Sequence, residues 1–250
     1  MRACVTTTIR ALLGRARGDH VRHSEAFRIE SQERMSEFSD AERNALYRAI
    51  ALRRDVRAEF LPDPVGDDVL LRVLSAAHQA PSVGLAQPWR FIVVRDFAKR
   101  RAVNDAFQRA NALAAAGYDD ATAKEYRALR LAGILEAPIN ICVTCDELPA
   151  RGRGLGRQTM PEAPRYSTVC AIQNLWLAAR VEGLGVGWVS ILDPAELRAL
   201  FGIPEAVAVI AYLCLGRVSE FAAVADLERD RWEARVALED VIDYERYGGA

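Results

Sequence analysis

The chain lacks an excess of either charge: 33 lysines and arginines stand against 34 aspartates and glutamates, leaving a formal net charge of −1. A broad cationic surface for a nucleic-acid backbone is therefore not expected. Histidine is scarce, at three residues. His20 and His23 lie near the start and His78 stands alone in a helical stretch, so no metal site is legible. The five cysteines (Cys4, Cys142, Cys145, Cys170 and Cys214) are few and odd in number. The last four sit in apolar surroundings, which suits buried thiols in a reducing compartment and argues against a disulfide framework. No run approaches the ~20 apolar residues that cross a bilayer, so a soluble, cytoplasmic protein without a membrane partner is expected.

What is present is 51% hydrophobic over 250 residues, enough to bury a substantial core. The opening MRACVTTTIRALLGRARGDHVRH is basic, has a short apolar patch and shows no small-residue cleavage pattern. Residues 1–35 therefore read as a disordered or variable extension, 36–235 as the folded domain and 236–250 as a C-terminal tail.

Within the domain, Ser39 and Glu42 form a capping-box pattern that opens a helix over SDAERNALYRAIALRRDVRAEF. That places Arg53, Arg54 and Arg57 in its last turns, where the helix dipole favours cations. VLLRVLSAAHQA reads as a second helix stopped by Pro81. WRFIVV is a strand, and residues 97–137 are mostly helical with a pause at AGYDD. PINICVTC and AVAVIAYLCLG read as strands too apolar to be half exposed, YSTVCAIQNLWLAARVEG as a buried helix ending at Gly183, and GVGWVSIL as a further strand. Asp193 and Pro194 open a short helix. Long helices around a few central strands, without clean βαβ repetition, predict an α+β fold in the form of a three-layer α/β sandwich.

The CVTC spacing suggests redox or metal chemistry, but residues three apart in a strand face opposite ways, so core cysteines are expected. GLGVG follows a helix and leads into a strand, the reverse of a dinucleotide-binding turn. GRGLGR offers a basic loop for an anion. VGWVS is either a tight helix-to-strand turn or a place where a flat ligand meets backbone N–H groups. APSVGLAQPWRF joins rigid prolines, a permissive Gly84, the polar Ser82 and Gln87, and Trp89. It fits a flat heteroaromatic ligand or a turn anchored by a core tryptophan. With Arg53, Arg54, Arg57 and Arg217 as phosphate donors, a phosphorylated flavin is a coherent ligand. Asp55, set among arginines in RRDVRAEF, is a surface salt bridge in isolation and something more if the other segments converge on it.

Four segments together carry a resemblance: RRDVR, APSVGLAQPWRFIVV, GRQTMPEAPRYSTVCAIQNLWLAARVEGLGVGWVSIL and YLCLGRV. The chain from about Phe38 to Glu233 resembles the flavin-dependent nitroreductase fold family, and more closely its 5,6-dimethylbenzimidazole synthase branch. General nitroreductases look like RRSxR and PSxxNxQPW, where this chain has Asp55 and Leu85. The resemblance implies a mainly antiparallel sheet flanked by helices, and a homodimer with FMN at the interface. The FMN-binding positions would be Arg53, Arg54, Arg57, Pro81, Ser82, Val83, Gln87, Gly187, Trp188, Ser190 and Arg217. A lid would span Asn104 to Arg130, and the tail over 236–250 would be a candidate to wrap the dimer.

The implied chemistry consumes reduced FMN as a substrate together with dioxygen, without metal. One ribityl carbon becomes C2 of 5,6-dimethylbenzimidazole, the lower ligand of cobalamin, and the four-carbon remainder leaves as erythrose 4-phosphate. A separate flavin reductase would supply the reduced flavin. Asp55 is the expected proton-transfer residue; Ser190 would position the ring or serve only as a strand-end serine. Competing expectations are an NAD(P)H oxidoreductase or nitroreductase that recycles its FMN, and a non-catalytic flavin-binding protein.

Overall fold

The computed structural model describes residues 37–248, so the expected extension over 1–35, with Cys4, His20 and His23, lies outside the described residues. The chain divides into two units, Met1–Ala45 and Leu46–Ala250. What is described of the first is the capped start of helix α1 (Asp40–Leu52). The Ser39 N–H donates to the Glu42 carboxylate at 2.8 Å and the Glu42 N–H donates to Ser39 Oγ at 3.3 Å, the reciprocal pair that the sequence predicts.

In the second unit the elements run α2 (Asp67–His78), β1 (Trp89–Val94), α3 (Phe97–Ala116), α4 (Asp120–Ala128), β2 (Ile139–Asp146), α5 (Ala163–Val181), β3 (Leu184–Val189), α6 (Pro194–Phe201), β4 (Val207–Arg217) and the single turn α7 (Asp226–Arg229). The strands form one antiparallel sheet in the order β1-β2-β4-β3. Strand alternation sorts its side chains onto two faces. Ile139, Ile141 and Val143 of β2 and Leu213 and Leu215 of β4 meet Val73 of α2 and Ile172 and Leu175 of α5. Cys142, Tyr212 and Cys214 point the other way, against Val103 and Phe107 of α3 and Leu197 of α6. Burying each such aliphatic side chain contributes about 1.5–3 kcal/mol, so both faces of the sheet are held strongly. This is the expected three-layer α+β sandwich. Among the described residues no helix is long and apolar enough to cross a membrane, and no group of three metal-ligating side chains converges.

Several local expectations fail for identifiable reasons. Helix α1 stops at Leu52, so Arg53, Arg54 and Arg57 lie beyond it; the backbone from Asp55 instead pairs with β3. The helical run expected to reach residue 137 ends at Ala128, because Leu129 is extended (ψ 142°) and Gly133 abuts the carbonyl of Arg57 too closely for any side chain. Strand β3 leaves the ladder after Val189, which places Ser190 beyond it. Cys170 is exposed: α5 buries Ser167, Ala171 and Leu175 on one stripe, and position 170 falls off it. The remaining described cysteines are buried as expected; burial pushes the Cys142 thiol up to about 12, which leaves it inert as a nucleophile or ligand.

A buried polar pair crosses the second core face. The Tyr212 hydroxyl donates to Asn140 Oδ1 at 3.0 Å, both residues are almost wholly enclosed, and Asn140 Nδ2 has no partner. Tyr212→Phe would orphan the oxygen as well. We expect it to destabilise the fold by about 1–3 kcal/mol, read as a lower urea midpoint at unchanged slope.

Candidate functional site

Residues Asp55 to Leu61 lie along the open edge of β3 and the end of β4. Asp55 pairs in parallel with Val186, the Val56 N–H donates to the Val186 carbonyl at 3.0 Å, and the Leu61 N–H donates to the Arg217 carbonyl at 2.8 Å. Glycines make this approach possible. A Cβ at Gly187 would stand 2.1 Å from the Val56 carbonyl oxygen, and one at Gly185 would stand 2.5 Å from the Val218 side chain. The two alternate with Val186 and so share a face of β3.

This docking fixes Asp55. One carboxylate oxygen accepts the Trp188 backbone N–H at 3.0 Å and the other is ion-paired with Arg57. The side chain keeps 40% of its surface open, whereas Arg57 keeps 14%. Asp55 thus sits at the floor of a recess, open on one side and crowded by protein on the others. Burial raises its pKa above the ordinary carboxylate range; Arg57, the Trp188 N–H and Arg53 pull it down without cancelling that rise, and Asp226 adds to it.

The arginines of the motif divide their work. Arg53 lies over the Trp176 ring, its guanidinium carbon 4.9 Å from the centroid, and the same indole N–H donates to the Arg54 carbonyl at 3.2 Å. Arg54 donates to the Ala51 carbonyl at 2.9 Å and to that of Ala223, so it does help cap α1. Arg180 donates to the Leu52 carbonyl at 3.0 Å and completes that end. Arg54 Nε and Arg57 Nη1 are buried donors without an acceptor in the described protein. Arg217 is exposed where β4 ends, paired with Leu184, and Ser190 is exposed just past β3.

The residues Pro81, Ser82, Val83 and Gln87 are elsewhere. Their loop precedes β1, at the opposite edge of the sheet from β3. Three inter-strand spacings separate the edges, about 14 Å. The loop is stiff and strained: Gly84, Leu85 and Gln87 all have positive φ (55°, 54° and 49°), Ser82 Oγ accepts the Gln87 N–H at 3.1 Å, and the Val83 N–H donates to Ser167 Oγ at 3.0 Å. Gly84 backs onto Gly152, where a Cβ on either would fall 2.9 Å from the other's carbonyl oxygen. An open groove of about 950 Å³ runs between this loop and Arg151–Thr159, so GRGLGR lines the same place. One chain therefore gathers Arg53, Arg54, Asp55, Arg57, Gly187, Trp188, Ser190 and Arg217 at one edge, and leaves the proline-serine loop at the other. Trp176 and Gly185 were missed in the sequence reading: both lie inside quoted segments, but only the packing shows that they face RRDVR.

The sequence and fold that build this site match known proteins. Residues 50–217 match the model of the nitroreductase family, and the chain belongs to that family. Its curated relatives include the 5,6-dimethylbenzimidazole synthase of Rhodospirillum rubrum, 46% identical over 198 residues that make up 79% of this chain and 93% of that protein. A 5,6-dimethylbenzimidazole synthase of Rhodobacter capsulatus is 41% identical over 203 residues, 81% of this chain and 97% of that one. Among solved structures, a BluB-like flavoprotein from Clostridium difficile superposes with a TM-score of 0.60 at 20% identity, covering 80% of this chain and 99% of that one. Iodotyrosine deiodinase, bound to FMN and 3-iodo-L-tyrosine, gives 0.65 at 21% identity, covering 81% and 100%. At that identity the likeness is one of fold.

Gly187→Ala should force the Val56 carbonyl off β3. We expect a loss at or above the top of the ~1–3 kcal/mol range for overpacking, with faster hydrogen exchange at the Val56 and Trp188 amides.

Asp55 has a raised folded-state pKa, so its ionisation opposes folding. The stability of the native protein relative to Asp55→Asn should be greatest below the ordinary carboxylate range and fall as pH rises through the pKa of folded Asp55. Urea titrations of both proteins from pH ~4 to ~7 measure it; a difference that grows with pH would mean that pairing outweighs burial.

Proposed function

We propose that this chain fragments reduced FMN with dioxygen to 5,6-dimethylbenzimidazole and erythrose 4-phosphate, supplying the lower ligand of cobalamin. The observation that carries the reading is Asp55: a carboxylate fixed on both oxygens, half open, with a raised pKa, in the middle of a cationic motif. Curated relatives bearing the synthase name over most of both chains support it.

The residues fit FMN. Arg53, Arg54 and Arg217 supply cationic donors, and the buried unpaired Arg54 Nε and Arg57 Nη1 mark a place short of acceptors, which a phosphate and ring carbonyls would relieve. Bound reduced flavin would supply the electrons for dioxygen and the ribityl carbon that becomes C2. The protein's part is positioning and proton handling. Asp55, its pKa raised by burial, takes and returns a proton, while Arg57 and the Trp188 N–H hold its orientation. Ser190 offers a hydroxyl at the end of β3. The Trp188 N–H is already committed to Asp55 and the side-chain face of Gly187 is covered by Val56, so these two residues place Asp55 rather than donate to the ring.

A ligand held by both groups of residues needs two copies of the chain, since one copy places them at opposite sheet edges. Pro81, Ser82, Val83 and Gln87 would then act on the flavin held by the partner. Exposed Leu46, Tyr47 and Ile50 of α1 and Tyr166 and Val169 of α5 are apolar surface for such a homodimer. The described cysteines stand as free thiols, which suits the cytoplasm. Reduced FMN would come from a separate reductase.

The test is to generate reduced FMN under air with an independent reductase and follow dimethylbenzimidazole by mass spectrometry. Stoichiometric loss of FMN with product is expected from the native dimer. FMN conserved through NAD(P)H turnover would make it a recycling oxidoreductase, and flavin bound unchanged would make it a carrier. Asp55→Asn should cut product formation about 10²–10⁴-fold while leaving flavin binding and simple flavin oxidation. Full yield from that variant would sink the catalytic role.

A further inference from the structure

Helix α4 is short and polar, and its buried residues are Ala123 and Tyr126. The Tyr126 hydroxyl donates to Asn111 Oδ1 of α3 at 2.7 Å. Its ring meets Tyr118 at 5.1 Å and Trp232 at 6.2 Å between centroids, and Trp232 stands edge-on to Tyr118 at 5.8 Å. Beside this trio the same elements part around an open cleft of about 630 Å³, lined by Glu59, Glu125, Leu129, Arg130, Arg229 and Trp232. The aromatic trio is therefore the junction between α4 and the C-terminal segment.

Trp232 is delivered to it by a strained turn. After α7, Arg231 has φ 58°, a region that ordinarily favours glycine. The Arg231 N–H donates to the Glu228 carbonyl at 3.2 Å and the Trp232 N–H to that of Leu227 at 2.8 Å, the paired bonds of a Schellman motif. A non-glycine residue held there by its surroundings points to a position that matters. Upstream, the same segment is tied to the motif edge: Arg54 donates to the Ala223 carbonyl, and the Ser219 N–H donates to the Glu59 carbonyl at 2.9 Å. The other end of the α4 region is fixed there too, with the Gly133 backbone against the Arg57 carbonyl.

We propose that Trp232 is a positioning residue, through which the segment Ser219 to Trp232 couples the RRDVR edge to helix α4. The consequence for catalysis rests on the flavin reading above, together with the lid over Asn104 to Arg130 that the resemblance implies, of which α4 is part. A flavin held by Arg53 and Arg54 would order the segment, and Trp232 would pass that order to α4, keeping water from the Asp55 recess while the flavin is broken. Without the ring, flavin would still bind and oxidise, but fewer turnovers would end in fragmentation.

The test compares the native dimer with Trp232→Ala and Trp232→Phe. Hydrogen exchange over residues 118–128, with and without FMN, reads the coupling; dimethylbenzimidazole formed per reduced flavin oxidised reads its consequence. Trp232→Ala should speed exchange in α4 about tenfold, abolish its protection by FMN and leave β2 and β4 unchanged. It should lower the product ratio at least about fivefold at a retained rate of flavin oxidation, and Trp232→Phe should restore most of both. If Trp232→Ala does not fold, Trp232→Leu is judged by the same criteria. Unchanged α4 exchange, or an unchanged product ratio, overturns the proposal. If the native protein makes no benzimidazole, the flavin-fragmentation reading fails by itself, and FMN-dependent protection of α4 decides the coupling alone.

Discussion

The rest of the site depends on how closely the backbone of Val56 lies on Gly187. A segment following a helix can join a sheet edge only if its carbonyl and amide groups find partners there, and Val56 does so by pairing with Val186 across a surface cleared of side chains. That contact ends helix α1 at Leu52, because a helical residue 55 could not reach Val186. It turns the Asp55 carboxylate onto the Trp188 N–H and brings Arg57 alongside. It also lays Arg53 over Trp176, whose indole N–H satisfies the Arg54 carbonyl.

The sheet then decides what one copy of the chain can and cannot assemble. In the order β1-β2-β4-β3 the two edge strands carry different halves of the candidate site. The β3 edge holds charge and the Asp55 recess, whereas the loop before β1 holds a strained, mostly uncharged turn braced by Ser167 and Gly152. The groove beside the loop is open. A strained loop persists only where its surroundings over-determine it, which suits a surface that must be presented to something outside its own chain. On the proposed reading, that something is the flavin on a second copy.

Much of this was legible in the residues, and the limits are physical. The capping box, the strands WRFIVV and PINICVTC, the Gly183 stop and the Asp193 cap are local signals, and each appears where its chemistry puts it. The end of α1 was not legible, because ALRRDVRAEF consists largely of good helix formers and the competing partner is about 130 residues away in sequence. The exposure of Cys170 is not legible because apolar neighbours in sequence do not show which stripe of a helix faces the core. The proline-serine loop and the arginines could be named from resemblance, but that they occupy opposite sheet edges follows only from strand order. Trp232 lies in a weakly patterned segment, and only the fold shows it meeting Tyr118 and Tyr126.

The charges around Asp55 also explain how a carboxylate could stand inside a motif proposed to bind an anion. An acidic group beside a phosphate would ordinarily repel it, and the more water is excluded the less that repulsion is screened. Here Arg57 is committed to Asp55 and largely buried, so the pair is close to neutral as seen from the recess. Arg53 and the exposed Arg217 remain for a ligand, together with the unpaired Nε of Arg54 and Nη1 of Arg57. On the proposed reading the motif divides into a proton-handling pair and an anion-binding set. Closing a ligand over the open side of Asp55 would strip its remaining water and raise its pKa further, in the direction burial has already moved it. Proton affinity at Asp55 would then rise when the site is filled, which on the proposed reading is when it takes a proton.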